Sequence, residues 1–189
     1  MTLIEATKTC FRKYATFSGR ATRSEFWKFI LFMFLSIVAL VIINSLIFGP
    51  EVGYRVALDA EGNPRGEPMR SVRYNEGWLG DVFFLVTLLP WLAVSWRRMH
   101  DSGRAGYLPF ASWAVMLAVF SGFIVFSMGP SEFWTAIRTT GQATVNSTAG
   151  AVLFFIGFIG VFVLNIYWLT RPSDPHTNRY GPNPTEVSQ

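Results

Sequence analysis

Three short polar clusters carry the residues of this chain best suited to chemistry. The first, Phe17-Ser-Gly-Arg-Ala-Thr-Arg-Ser-Glu-Phe-Trp27, supplies Arg20, Arg23 and Glu25. The second, Leu89-Pro-Trp-Leu-Ala-Val-Ser-Trp-Arg-Arg-Met-His-Asp-Ser-Gly-Arg104, supplies Arg97, Arg98, His100, Asp101 and Arg104. The third, Asn178-Arg-Tyr-Gly-Pro-Asn-Pro184, adds Arg179. Guanidinium groups in this number suit anions, because each presents a planar fork of donors to a phosphate or carboxylate. Glu25 or Asp101 would orient such forks. A purely structural role competes with this reading: a salt-bridge and headgroup belt that fixes helix ends.

Acid–base catalysis has weaker support. His100 and Asp101 are adjacent, and neighbours on a helix do not face each other. No zinc-type His-Glu spacing, P-loop or nucleophile elbow is present. His176, in a Pro-rich tail, reads as a surface residue. Cys10 is the only cysteine, so no internal disulfide or Cys-based metal cluster is expected. The sequence therefore calls for no metal and no cofactor.

The elements that must position these residues follow from where charge is absent. Of 189 residues, 51% are hydrophobic and 15% charged, with a mean hydropathy of +0.32. Ordinary globular chains carry roughly 25% charged residues. Here the charges are segregated: 26 of the 28 lie outside four apolar stretches, 26–48, 78–96, 107–128 and 149–170. Each stretch has 19 to 23 residues, and an α-helix of ~20 residues crosses the ~30 Å hydrocarbon layer. Backbone groups in lipid must be satisfied within the segment, so four transmembrane helices are expected. The chain reads as an all-α membrane protein, a single integral domain over residues 1–189. Pro90 should kink the second span after Leu89.

Trp27, Trp78, Trp91, Trp96, Tyr107, Tyr167 and Trp168 mostly fall near span boundaries, as amphipathic anchors do. Thr22 and Glu25 form a capping-box pattern before the first span, and Asp101 or Ser102 is placed to cap the third. Flanking Lys and Arg set the orientation. Ten lie in the N-terminal segment, the 97–106 loop and the tail, against five in the 49–77 and 129–148 loops. The positive-inside rule then puts both termini in the cytoplasm. The polar first 25 residues argue against a signal peptide. The net charge of +4 needs no nucleic-acid partner, since topology and anionic headgroups account for it.

Between the spans, residues 3–17 repeat apolar side chains at helical spacing (Leu3, Ile4, Thr7, Cys10, Phe11, Tyr14). That predicts an N-terminal amphipathic helix lying in the interface. Tyr54–Leu58 and Met69–Tyr74 flank a Gly/Pro-rich turn over 59–68 and predict a small extracytoplasmic hairpin. Residues 131–140 predict a short helix capped by Ser131. Asn44 and Asn165 are expected to hydrogen-bond between helices, and Gly157 with Gly160 to allow close helix contact. Asn146-Ser-Thr matches a glycosylation sequon, relevant only to a eukaryotic secretory pathway.

The three polar clusters, taken in order, resemble the bacterial inner-membrane family known as domain of unknown function 805. The likeness covers the first span, the second span with its loop, and the tail. It rests on the Gly-Arg-Ala-x-Arg-x-Glu-Phe-Trp, Arg-Arg-x-His-Asp-x-Gly-Arg and Asn-Arg-Tyr-Gly-Pro-x-Pro runs. This chain departs from it in a longer 49–77 loop and in two apolar stretches separated by residues 129–148. The resemblance implies a location in the bacterial inner (plasma) membrane and no particular activity. The leading expectation is a non-enzymatic module whose cytoplasmic Arg-rich layer (Arg20, Arg23, Arg97, Arg98, Arg104 and Arg179, with Glu25, His100 and Asp101) binds anionic phospholipid headgroups or a membrane protein partner. A homo-oligomer is a further expectation. The alternatives are a small-solute or ion transport component, and an enzyme acting on a lipid headgroup.

Overall fold

Apolar runs with no period-3.6 polar stripe form the helices, and the punctuation between them sets their ends. The computed structural model describes residues 1–58, 64–74, 77–140 and 148–184. In chain order these form α1 (Leu3–Arg12), α2 (Arg23–Phe48), β1 (Glu51–Leu58), β2 (Pro64–Arg73), α3 (Gly77–Asp101), α4 (Leu108–Met128), α5 (Pro130–Thr140) and α6 (Thr148–Thr170). Helices α2, α3, α4 and α6 are long and apolar enough to cross a membrane. Only 6% of the most apolar window of α2 and of α4 is buried within the protein, so their surfaces suit lipid. The predicted end of the second span moves furthest: α3 runs to Asp101, not to residue 96. Its 25 residues, about 37 Å at 1.5 Å each, exceed the ~30 Å hydrocarbon layer, so its polar last turns project beyond it.

The chain divides into two compact units. One joins Met1–Thr16 with Ser24–Val94, the other Phe17–Arg23 with Ser95–Gln189.

In the first unit, α1 opens with a full capping box. The Thr2 N–H donates to Glu5 Oε2 at 2.7 Å, and the Glu5 N–H donates to Thr2 Oγ1 at 3.2 Å. The backbone donor at Thr2 is the main cause that holds the Glu5 carboxyl below the usual carboxylate range. The helix stops at Arg12, five residues before the predicted end at 17. Lys13 leaves helical geometry (φ −98°, ψ 39°) and the chain turns through a Thr16 N–H to Lys13 carbonyl bond of 3.1 Å. The predicted apolar face is also split. Ala6 and Cys10 are fully buried, while Ile4 is 66% exposed. The Phe11 ring packs edge-on against Phe29 and Phe32, and Phe32 reaches Phe83 of α3.

The early end of α1 has a use. Pro90 has no N–H, so the Val86 carbonyl four residues earlier has lost its helical partner. The Tyr14 hydroxyl donates to that carbonyl at 2.8 Å. Helix α3 is continuous through Pro90, and the freed acceptor is satisfied from outside the helix. At the far end of this unit Asn44, 7% exposed, lies against Gly77 so closely that a Cβ there would fall 2.4 Å from Asn44 Oδ1.

Strands β1 and β2 form an antiparallel hairpin from Glu51↔Arg73 to Leu58↔Pro64, with a bulge between Arg55 and Ala57. Both strands exceed the predicted runs. Residues 64–68, predicted as turn, begin β2, and Pro64 occupies its first position, where a missing N–H is tolerated. The described residues do not include 59–63, the rest of that turn.

In the second unit α4 and α6 run antiparallel. Asn165 donates to Ser112 Oγ at 2.9 Å and to the Val161 carbonyl at 2.8 Å, so the expected inter-helix bond of this asparagine is present. Trp113 packs on Phe158, and Phe120 on Phe154. Neither Asp101 nor Ser102 caps α4. Asp101 ends α3, and α4 starts after Tyr107 with no side-chain cap and with Pro109 in its first turn. Ser131 does not cap α5 either, because the helix starts one residue earlier at Pro130, whose fixed φ suits a first turn. Asn146 and Ser147 of the sequon lie outside the described residues.

Replacing Tyr14 with Phe removes one hydroxyl and leaves the Val86 carbonyl unpaired where lipid offers no substitute. The expected loss is about 1–3 kcal/mol, read as a lower unfolding temperature in a bilayer mimic. Tyr74→Phe, at a 62% exposed position on the hairpin side, should leave that temperature unchanged.

Candidate functional site

The last turn of α3 carries the second polar cluster and ends in a glycine cap. Gly103 (φ +74°) donates to the His100 carbonyl and Arg104 to the Met99 carbonyl, both at 3.0 Å, which is the Schellman arrangement. Asp101, the final helical residue, is fully buried. A carboxylate at a helix C-terminus faces the negative end of the helix dipole, so this position demands compensation.

Two guanidinium groups supply it. Arg20 Nε donates to Asp101 Oδ1 at 3.0 Å, and Arg98 Nη1 donates to Asp101 Oδ2 at 2.6 Å. The Ser173 hydroxyl donates to the same Oδ2. The Asp101 carbonyl accepts the Asp174 N–H at 2.8 Å and Arg20 Nη2 at 3.3 Å. With all three side chains at 1% exposure or less, this is a buried triad and not a surface pair.

The remaining guanidinium donors fasten the tail. Arg20 Nη1 reaches the carbonyls of His176 (2.8 Å) and Gly181 (3.4 Å), and Nη2 also reaches that of Asp174. Arg98 Nε donates to the Leu169 carbonyl at 3.0 Å and Nη2 to that of Arg171, which closes the carbonyl-rich end of α6. Arg20 thus makes five internal hydrogen bonds and Arg98 three.

His100 joins the same assembly by its flat face. Its ring stacks on Tyr180 with centroids 3.7 Å apart and planes 5° from parallel. Nδ1 lies 3.1 Å from the Gly19 carbonyl, which only accepts, so Nδ1 carries the proton. Asn178 Nδ2 donates to the His100 carbonyl at 3.0 Å, and Asn178 Oδ1 accepts the Tyr180 N–H at 2.9 Å, the turn that presents the ring. The Ala21 N–H donates to the Arg97 carbonyl at 3.0 Å.

Segments of all three polar clusters therefore meet at Asp101. Arg20, Arg98, His100 and Asp101 are assembled directly, and Arg179 stands beside them with its guanidinium 4.7 Å above the Tyr180 ring. Arg97 is buried in this unit. Arg23 is exposed and Arg104 half-buried at its margin. Glu25 belongs to the other unit, where it is buried with its Oε1 3.9 Å from Cys10 Sγ. The side chains of His100 and Asp101 are turned to different partners and do not form an acid–base pair. Sequence reasoning missed Ser173, Asp174 and the stacking role of Tyr180. Of these, only the turn-forming Asn178-Arg-Tyr-Gly run carried a local signal. Among the described residues no group of three or more His, Cys, Asp or Glu could hold a metal ion.

Four spanning helices, with a tail tied to the end of one of them by a buried aspartate, define a multi-pass integral membrane protein. The chain belongs to the family described as protein of unknown function (DUF805), which it matches over residues 14–182, through both the long 49–77 loop and the 129–148 segment. It is 31% identical over 115 residues to the inner membrane protein YhaI of Escherichia coli (strain K12), covering 58% of this chain and 76% of that one. It is 26% identical over 112 residues to the inner membrane protein YhaH of the same strain, covering 56% and 75%. No solved structure matches.

Asp101→Asn leaves two buried guanidinium groups without a counter-charge, and breaking such a cluster from one side costs about 3–5 kcal/mol. The expected outcome is a lower unfolding temperature together with faster proteolysis within residues 171–184. Ser173→Ala, which removes one of three carboxylate donors, should shift both measurements less.

Proposed function

We propose that this protein is a non-enzymatic module of the bacterial inner membrane that binds anionic phospholipid headgroups through arginines at the cytoplasmic ends of its helices. One observation carries the reading: the Asp101 triad uses Arg20 and Arg98 internally, while a second set of cations shows no acidic partner among the described residues. That set is Arg23, Arg104, Arg171 and Arg179, all in the same unit. Arg171 lies over the Tyr167 ring at 5.3 Å and donates to its hydroxyl at 2.9 Å, while Arg179 lies over Tyr180. A guanidinium braced on an amphipathic ring at a helix end is the arrangement expected where headgroup phosphate meets protein. Each basic side chain near an anionic surface contributes about 1 kcal/mol, so four make a preference that is measurable and salt-sensitive. Arg20 and Arg98 act in this reading as fasteners, not as ligand contacts.

The inner-membrane location draws on the names of the two relatives, and the orientation on the excess of Lys and Arg in the termini and the 97–106 loop. Reporter fusions at residue 60 and at the C-terminus test the orientation: the first should report the periplasm and the second the cytoplasm. A periplasmic C-terminus would remove the arginines from the anionic leaflet. Lipid content of detergent-purified protein, read by mass spectrometry, tests the binding. The wild type should retain phosphatidylglycerol and cardiolipin in excess of their share of the membrane. A variant with Arg23, Arg104, Arg171 and Arg179 all changed to Ala should lose that excess with little change in unfolding temperature. An undiminished excess in the variant would count against the reading.

A further inference from the structure

Between helices α4 and α6, on from their Ser112–Asn165 contact, lies an apolar groove of about 420 Å³, lined by Ser112, Met116, Phe120, Phe123, Gly157 and Val161 among others. Its one hydroxyl is already engaged, since Ser112 donates to the Pro109 carbonyl and accepts from Asn165. The walls therefore offer a guest nothing but apolar surface. In a bilayer such a groove is filled, because an empty one forfeits packing on every wall.

Dimensions select the occupant. From Ser112 to Phe123 the groove spans eleven residues of α4, about 16 Å along the axis, or one leaflet of a ~30 Å layer. Its walls are apolar along that whole length, as the methylenes of a lipid tail require. A single acyl chain fits it. The groove also has a charged end. Because α4 and α6 are antiparallel, Arg104 before α4 and Arg171 after α6 leave the helices at the Ser112 end. Ser112 lies four residues inside α4, about 6 Å below the helix end, which is the depth at which a chain begins beneath its phosphate.

We propose that one anionic phospholipid occupies a fixed site on this protein, with one acyl chain in the α4–α6 groove and its phosphate between Arg104 and Arg171. The inference deepens the headgroup-binding reading and rests on it. It adds that a particular lipid is held by shape as well as by charge, in a ratio of one to one.

Nanodiscs containing phosphatidylglycerol with a photoreactive group midway along one acyl chain test this, with labelled positions mapped by mass spectrometry. The wild type should be labelled on the facing walls of α4 and α6 several-fold more than on the outward face of α2, at Phe34 or Leu46. Gly157→Phe should abolish that excess. A Cβ at 157 meets only Met116 Cγ, at 3.9 Å, an ordinary van der Waals distance, and Gly157 lines the groove, so a ring added there occupies groove space. The wild-type map stands by itself if the variant does not fold. Even labelling of α2, α4 and α6 would overturn the fixed site while leaving the arginine reading intact. Equal groove labelling by a phosphatidylcholine probe would overturn the role of charge and the headgroup reading with it. Cross-links between two copies through the groove walls would replace the lipid with protein and overturn the proposal.

Discussion

A carboxylate at the C-terminus of a helix is an electrostatic liability, and burying it makes the liability larger. Asp101 is in that position, and much of the second unit is organised around making it tolerable. Arg20 and Arg98 bring the balancing charge, but two guanidinium groups bring far more donors than one carboxylate accepts. The surplus is met by backbone carbonyls of residues 169, 171, 174, 176 and 181. A single buried charge thereby recruits two cations, and the cations recruit a tail with no regular structure of its own. Buried ion clusters are poor sources of net stability compared with apolar packing. What this one contributes is a defined path for residues 171–181.

The same principle, an orphaned backbone group that must find a partner, governs the first unit. Pro90 strips the Val86 carbonyl of its helical donor and Tyr14 replaces it. In both units a side chain from near the N-terminus completes hydrogen bonding that α3 cannot complete alone. Helix α3 is the most buried of the four spans, with 28% of its most apolar window covered by protein. It is also the one whose ends and middle need outside help.

The spans were legible because hydropathy is local: a run of apolar residues announces itself whatever it later packs against. The boundaries of α4 and α6 shift by one residue, while α3 runs five residues further because its polar last turns are covered by other protein segments. Periodicity overran at α1, since Tyr14 continues the apolar repeat but serves α3 from outside the helix. The convergence of three polar clusters could be anticipated from their shared end of the spans, but their division of labour could not. Whether an arginine faces inward or outward depends on which carbonyls reach it, and carbonyls carry no residue identity. Arg20 and Arg23 look alike in sequence, yet one makes five internal bonds and the other is exposed. Glu25 shows the converse, because two residues along a helix place it on a different face from Arg23 and it is buried with Cys10.

The triad draws Arg20 from before the first span, Asp101 from the end of the second, and most of its carbonyl acceptors from the end of the last span and the tail after it. Contacts separated by 81 and 156 positions cannot form until the intervening helices have been made and inserted. The Arg20–Asp101 pair needs only the first two spans, whereas the carbonyls of residues 169–181 need all four. The complete cluster therefore requires all four spans to be in place. A molecule with one later helix inverted would carry its tail to the other end of the spans and leave Arg20 and Arg98 without those carbonyls.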